Sequence, residues 1–302
     1  MSSVFRASVL TLAGTFQMGA TVRYWSQVLL SPLFASGCAA FATALPPVEP
    51  VPAAMVAPPD LIYLDRSLGN DAIVRITTPY VACTGTLIAE DRVLTAHHCL
   101  AKRDGDERYL EQIIDVDDVR VELGGDYLPW GEIGVRAIVT PPCGHGSGVG
   151  DIAILVLRAP LKDLSTLPIS EEQGPSAGEE VWPIGFGTCA DSGDGIRRRS
   201  RPEAEITAVL GTRFQSLSAI CPGDSGGPAL NQQGAVVGVI SRSAMDGEEA
   251  TASRTEFTRV DRWQDVFANA QRISDGESPA EQPPIAGCES PELSESTASR
   301  SR

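Results

Sequence analysis

The chain has 302 residues, 42% of them hydrophobic and 21% charged, with a formal net charge of −15. That length suits one large or two small domains, and that composition suits a folded, water-soluble body with an ample core. The negative surplus speaks against a phosphate-binding surface, which needs clustered Lys and Arg, so no nucleic-acid partner is expected.

At the N-terminal end, Arg23 precedes a mostly apolar stretch over residues 25–33, which leads into Ala35-Ser36-Gly37-Cys38. The stretch is too short and too interrupted to cross a bilayer, and it fits an export signal within a leader over residues 1–38. A start at Met18 gives a compact basic-then-apolar signal, whereas Met1 leaves a longer leader. The Ala-Ser-Gly-Cys run is similar to a lipoprotein cleavage box, with Ala35 where Leu is usual. Three readings stand: lipidation of Cys38 with membrane attachment, plain signal cleavage nearby, or a Cys that happens to lie among small residues. The expected location is exported: extracellular, periplasmic or lipid-anchored at the cell envelope. Seven cysteines, less a lipidated Cys38, leave an even number, as an oxidising compartment favours.

Residues 39–60 are rich in Ala, Pro and Val without periodicity and read as a semi-rigid linker. From about Asp60 to Val260 the pattern is all-β. Short apolar or alternating runs recur at 72–77, 85–88, 119–123, 133–139, 152–157, 180–184, 203–209 and 235–241, separated by Gly, Pro, Asp and Asn. That spacing predicts a sandwich or barrel. The one basic cluster, Arg197–Arg199 with Arg201 close behind, reads as a solvated loop or a protease-sensitive one. A helix is predicted over 261–270, with Asp261 as N-cap and Trp263, Val266 and Phe267 on one face. Residues 273–302 are rich in Ser, Glu and Pro and are expected to be disordered, with Cys288 able to tie part of the tail down.

Three segments carry chemistry together: Cys83-Thr84-Gly85-Thr86-Leu87-Ile88 with Leu94-Thr95-Ala96-His97-His98-Cys99; Gly150-Asp151-Ile152-Ala153-Ile154-Leu155; and Cys221-Pro222-Gly223-Asp224-Ser225-Gly226-Gly227-Pro228. A Ser hydroxyl is a weak nucleophile and needs an adjacent base and stabilisation of the oxyanion it creates. Glycines around Ser225 allow a tight turn that exposes the hydroxyl and aims the Gly223 and Ser225 amides into one pocket; alone, such a run is also an ordinary glycine turn. Asp151 heads an apolar strand, where a carboxylate is expensive unless hydrogen-bonded, and an imidazole N–H supplies that bond.

In their His–Asp–Ser order these segments resemble the chymotrypsin/trypsin family, over about Asp60 to Ala270. The resemblance implies two packed six-stranded antiparallel β-barrels with a short C-terminal helix, a domain over 61–272 divided at about 165–166. It implies a serine endopeptidase acting on protein or peptide substrates, without cofactor or metal. Ser225 would be the nucleophile, His98 the base, Asp151 the residue orienting it, and Gly223 with Ser225 the oxyanion hole. The family places the base directly before the Cys, which selects His98 over His97; His97 then has a packing or hydrogen-bonding role. His145 reads as an exposed loop residue, with substrate contact as the lesser option. Ser241 resembles the serine that also contacts the triad Asp and lines the substrate strand.

The resemblance further implies a Cys83–Cys99 disulfide. Cys221 lacks its usual downstream partner, so Cys189–Cys221 is favoured, leaving Cys143 and Cys288; the four cysteines allow three connectivities. Ala219 occupies the bottom of the primary specificity pocket, where tryptic preference needs a carboxylate, and Arg242 with Ser243 replaces the common Trp and Gly of the wall. A small or apolar residue before the scissile bond is therefore expected. No Ile-Val-Gly-Gly activation site precedes Cys83, so either Asp224 pairs with something other than a newly cut N-terminus or the cut follows Asp60 or Leu61. A trypsin-fold binding module with weak or no peptidase activity is the alternative that this departure keeps open. An esterase on the same residues is chemically possible, without a feature favouring it.

Overall fold

The computed structural model describes residues 71–125, 129–146, 148–188, 196–243 and 253–288. The first barrel comprises β1 (Ile73–Thr77), β2 (Ala82–Ala89), β3 (Arg92–Thr95), β6 (Arg120–Leu123), β7 (Gly131–Val139) and β8 (Ala153–Leu157), closed in the order β1-β2-β3-β8-β7-β6. A small hairpin, β4 (Ala101–Arg103) and β5 (Tyr109–Ile113), projects from it after the 3-10 turn His97–Leu100. The second barrel comprises β9 (Glu180–Gly185), β11 (Ala204–Leu210), β12 (Arg213–Ser218), β13 (Pro228–Leu230), β14 (Val236–Ser243) and β15 (Ser253–Arg259), with β13 returning to pair with β9. The two-residue β10 (Arg199–Ser200) is added at the β9 edge. The expected pair of six-stranded barrels is the fold observed.

All five residues of β8 are buried, because the strand faces the barrel interior on one side and the C-terminal helix α1 (Gln264–Ser274) on the other. A strand covered on both faces reads as the continuous apolar run Ala-Ile-Leu-Val-Leu rather than as an alternation. Trp263, Val266, Phe267, Ala270 and Ile273 join the core of the first barrel, so the chain end returns across it. Each such large apolar side chain contributes about 1.5–3 kcal/mol of burial. The second barrel packs around Phe214 and Phe257, whose rings stack at 4.8 Å, together with Val181, Ile206 and Ile240.

Three expectations are corrected. The helix does not run over 261–270 with Asp261 as cap: Val260–Arg262 is a 3-10 turn, and the Asp261 carboxylate instead pairs with Arg259 at 2.6 Å. The stretch from 273 expected to be disordered is, as far as Cys288, built onto the body. A 3-10 turn forms at Pro279–Glu281, Asn269 Nδ2 donates to the Pro283 carbonyl, Ala286 N–H donates to Asp265, and Cys288 is bonded to Cys143. The Arg-rich run is not a solvated loop throughout: Arg198 pairs with Asp71, and Arg201 is a buried partner of Asp224. Residues 1–70, with the Cys38 leader and the linker, lie outside the described residues, as do Cys189 and residues 289–302. Among the described residues no helix is long and apolar enough to cross a membrane.

Candidate active site

The site lies between the barrels, and strand pairing explains why. In the antiparallel pair β3–β8, Thr95 faces Ala153, so the residues just after β3 and just before β8 emerge at the same barrel end. His98 in the 3-10 turn and Asp151 before β8 are thereby neighbours. The His98 backbone N–H donates to Asp151 Oδ1 at 2.9 Å, and its ring Nδ1 lies 2.8 Å from Oδ2. Ser241 in β14, from the other barrel, donates its hydroxyl to the same Oδ2.

Asp151 is 2% exposed. Burial alone would push its carboxyl up, but His98 and the bonds from His98 and Ser241 outweigh it and hold the group well below the usual carboxylate range. An ionised Asp151 can only accept, so Nδ1 of His98 carries the proton and Nε2 is the basic nitrogen.

Ser225 lies in the loop between β12 and β13, which is fastened to the first barrel through Thr84 of β2. Thr84 N–H donates to the Ser225 carbonyl at 2.8 Å, its hydroxyl donates to the Gly223 carbonyl at 2.7 Å, and the Phe186 N–H donates to that hydroxyl at 2.9 Å. Gly226 has φ +84°, and a Cβ there would stand 2.2 Å from the Thr84 carbonyl oxygen, so only glycine lets the loop lie this close. Asp224 N–H donates to Cys221, Gly226 N–H to Ile240 and Gly227 N–H to Asp224. The amides of Gly223 and Ser225 donate to no acceptor among the described residues.

Between these amides in sequence, the Asp224 carboxylate points inward and is 0% exposed. Oδ1 accepts from the Gly187 N–H at 2.8 Å; Oδ2 accepts from the Cys221 N–H at 2.9 Å and from Arg201 through Nε at 2.8 Å and Nη2 at 2.6 Å. Burial pushes this carboxyl up, against the pull of Arg201 and the two amides.

His98 and Ser225 share the walls of two clefts. One, of about 470 Å³, is bordered by Ala82, Cys83, Tyr109, Phe186 and Pro222. The other, of about 480 Å³, is bordered by Tyr109, Glu111, His145, Ser241, Arg242 and Ser243. The structure holds no hydrogen bond between Ser225 Oγ and His98 Nε2; that contact is commonly long until substrate is bound.

Of the residues expected to contact substrate, Ser241, Arg242 and Ser243 border the second cleft, whereas Ala219, half-buried after β12, borders neither. On the strands that lead to Ala219, Ser216 bonds Ser218, and Ser243 bonds Ser253 and Thr255. His145 is not the exposed loop residue expected: it is half-buried, edge-on to His97 at 5.4 Å and to Tyr109 at 5.6 Å. His97 is 3% exposed and packs edge-on against the His145 ring. Burial and the neighbouring His145 lower its pKa, with Asp151, the Gly150 carbonyl and Glu111 pulling the other way. Tyr109 and Glu111 escaped the sequence reading, and Thr84 and Arg201 entered it without the contacts they make here.

Cys83 and Cys99 form a disulfide with Cα atoms 6.2 Å apart, and Cys143 and Cys288 another at 5.4 Å. Cys221 is also disulfide-bonded, to a partner outside the described residues, where its favoured partner Cys189 lies.

A sequence model of the trypsin family matches residues 69–267. The cercarial protease of Schistosoma mansoni is 29% identical over 202 residues, covering 56% of this chain and 73% of that protein. Brachyurin of Leptuca pugilator is 30% identical over 198 residues, covering 59% and 82%. A solved Glu endopeptidase shares the fold with a TM-score of 0.54 at 19% identity, covering 68% of this chain and 91% of that one. With its two closed barrels and a family match across both of them, the chain belongs to the trypsin family of serine proteases.

Proposed function

We propose that the protein is a serine endopeptidase in which Ser225 attacks the scissile carbonyl, His98 acts as base and Asp151 orients it. The observation that carries this reading is the His98–Asp151–Ser241 bonding, which leaves Nε2 basic beside the nucleophile loop. In the first half-reaction Ser225 Oγ bonds to the carbonyl carbon while its proton passes to His98 Nε2. Asp151 stabilises the imidazolium, and the amides of Gly223 and Ser225 receive the developing oxyanion. His98 then protonates the departing amine, leaving an acyl ester on Ser225. Water, deprotonated by His98, hydrolyses that ester and restores the hydroxyl.

The cleft bordered by Ser241, Arg242 and Ser243 takes the residues before the scissile bond, and the cleft beside Cys83 takes those after it. The family resemblance puts Ala219, and not a carboxylate, at the bottom of the specificity pocket, which favours a small or apolar residue over Lys or Arg. The disulfides suit an exported protein, with Cys38 lipidation as the route by which it would be held at a membrane.

The test is labelling of the purified protein by a fluorophosphonate probe, with Ser225→Ala as control. Labelling of the native protein and none of the variant is expected; equal labelling of both would sink the reading. Turnover of a mixed peptide library separates the endopeptidase from a binding module on the same fold, and a cleavage-site profile on a denatured proteome tests the specificity.

A further inference from the structure

Two amides can hold one oxyanion only if the loop between them has a fixed shape. Here the residue between them is Asp224, and the shape is set by where its carboxylate is anchored. In proteases of the family that loop becomes ordered when an activating cut creates an α-ammonium group that pairs with this Asp. The described residues supply a different cation. Arg201, 8% exposed, places Nε and Nη2 on Asp224 Oδ2, and its Nη2 also donates to the Gly187 carbonyl at 2.8 Å. Gly187 completes the arrangement by donating its own N–H to Oδ1. A Cβ at Gly187 would stand 2.5 Å from the Asp224 carboxyl carbon, so the approach needs glycine there. Arg201 is itself held, because its backbone N–H donates to the Pro183 carbonyl of β9 at 2.8 Å. The cation therefore comes from within the second barrel, between β10 and β11, and belongs to the fold rather than to a processed chain end.

We infer that Arg201 is the positioning residue of the oxyanion hole and that the site is assembled without an activating cut upstream of the barrels. The inference rests on the peptidase reading given above. A guanidinium is always charged, and here Nε and Nη2 converge on Oδ2 while Nη2 also reaches the Gly187 carbonyl, so with the Gly187 N–H on Oδ1 the Asp224 carboxylate is held in one orientation. It also accounts for an Asp224 retained in a chain with no Ile-Val-Gly-Gly site before Cys83.

The experiment uses the full chain, with an intact N-terminus verified by mass, and the same protein cut at a protease site engineered upstream of Asp71. Fluorophosphonate labelling rates of the two are expected to agree within about twofold, the catalytic site being already formed. Labelling that appears only after the cut would overturn the inference and leave the peptidase reading standing. No labelling of either form would remove the peptidase reading, and this inference with it.

Arg201→Gln and Arg201→Lys supply a second measure. Loss of oxyanion-hole geometry lowers kcat by about 10²–10³, so Gln should fall in that range with KM little changed. Lys should recover at least a tenth of native kcat, and methylguanidinium added to the Gln variant should raise its rate. A Gln variant with native kcat would overturn the inference, as would a Lys variant no better than Gln. Should the Gln variant fail to fold, the comparison of cut and uncut native protein still decides.

Discussion

Each barrel contributes one half of the site, and each half is built around a buried carboxylate. Asp151 belongs to the first barrel and faces the Nδ1 side of the His98 imidazole; Asp224 belongs to the second and faces a guanidinium that is always charged. The environments push in opposite directions, holding the Asp151 carboxyl low and pushing the Asp224 carboxyl up by burial. In the proposed mechanism the first carboxylate orients the His98 imidazole and stabilises it as it takes up the Ser225 proton. The second meets a permanent charge and fixes backbone shape. A buried acid in a protease can thus serve the proton or the scaffold, and the partner's charge tells which.

Substitutions can separate the two roles. The largest expected effect is that of Asp151→Asn, which removes the acceptor that sets the His98 tautomer. Such a change lowers kcat by about 10⁴ in triads of this kind, with a smaller loss in unfolding free energy. A loss of stability as large as the loss of rate would erase the distinction.

Next, Asp224→Asn removes the carboxylate that the buried Arg201 faces and should lower unfolding free energy by about 3–5 kcal/mol in denaturant titrations. Undiminished stability would show that the second acid is not structural.

Ser241→Ala deletes one hydroxyl bond to the Asp151 carboxylate from across the barrel interface. At about 1.5–3 kcal/mol for a hydrogen bond to a charged group, kcat/KM should fall roughly tenfold to a hundredfold. A KM effect alone would place Ser241 with substrate instead of with Asp151.

The smallest effect is on pH dependence. His97 is held below the ordinary histidine range by burial and by His145, with Asp151, the Gly150 carbonyl and Glu111 opposing. The stability tied to its neutral form is full above about pH 6.5. It declines as pH falls below that, because the unfolded chain gains a proton that the folded one resists. The contribution of Asp151 is full above about pH 4, and is lost only in stronger acid as pH falls toward its lowered folded-state value. His97→Ala should therefore flatten Tm against pH between about 7 and 5, leaving the strongly acid limb unchanged. An unaltered slope between 7 and 5 would remove His97 as its source.

Strands β1, β2, β6, β7 and β8 of the first barrel and β9, β11 and β14 of the second were legible where Val, Ile and Leu alternate or, in β8, run together. Strands β12 and β15 were not, because their buried positions include Ser216, Ser218, Thr255 and Thr258, whose hydroxyls hide an inward face from a hydropathy reading. His98, Asp151 and Ser225 stood in compact local motifs and were readable at once. Arg201 was not, since its partner lies 23 residues away and its neighbours form an Arg-rich run that looks like solvent-facing surface. The 3-10 turn before α1 was missed because Asp261 has the residue type of a helix cap but spends its carboxylate on Arg259. Residues 275–288 looked disordered because their anchors are single long-range bonds and one disulfide rather than an apolar stripe.

The disulfides carry a consequence for the site as a whole. Cys99 adjoins His98, Cys143 lies in the loop leading to Asp151, and Cys221 begins the loop that carries Ser225. Each of the three segments proposed for chemistry is therefore stapled at a thiol, and the Cys143 staple reaches 145 residues along the chain to the C-terminal segment. A reductant strong enough to open these links would free all three segments together.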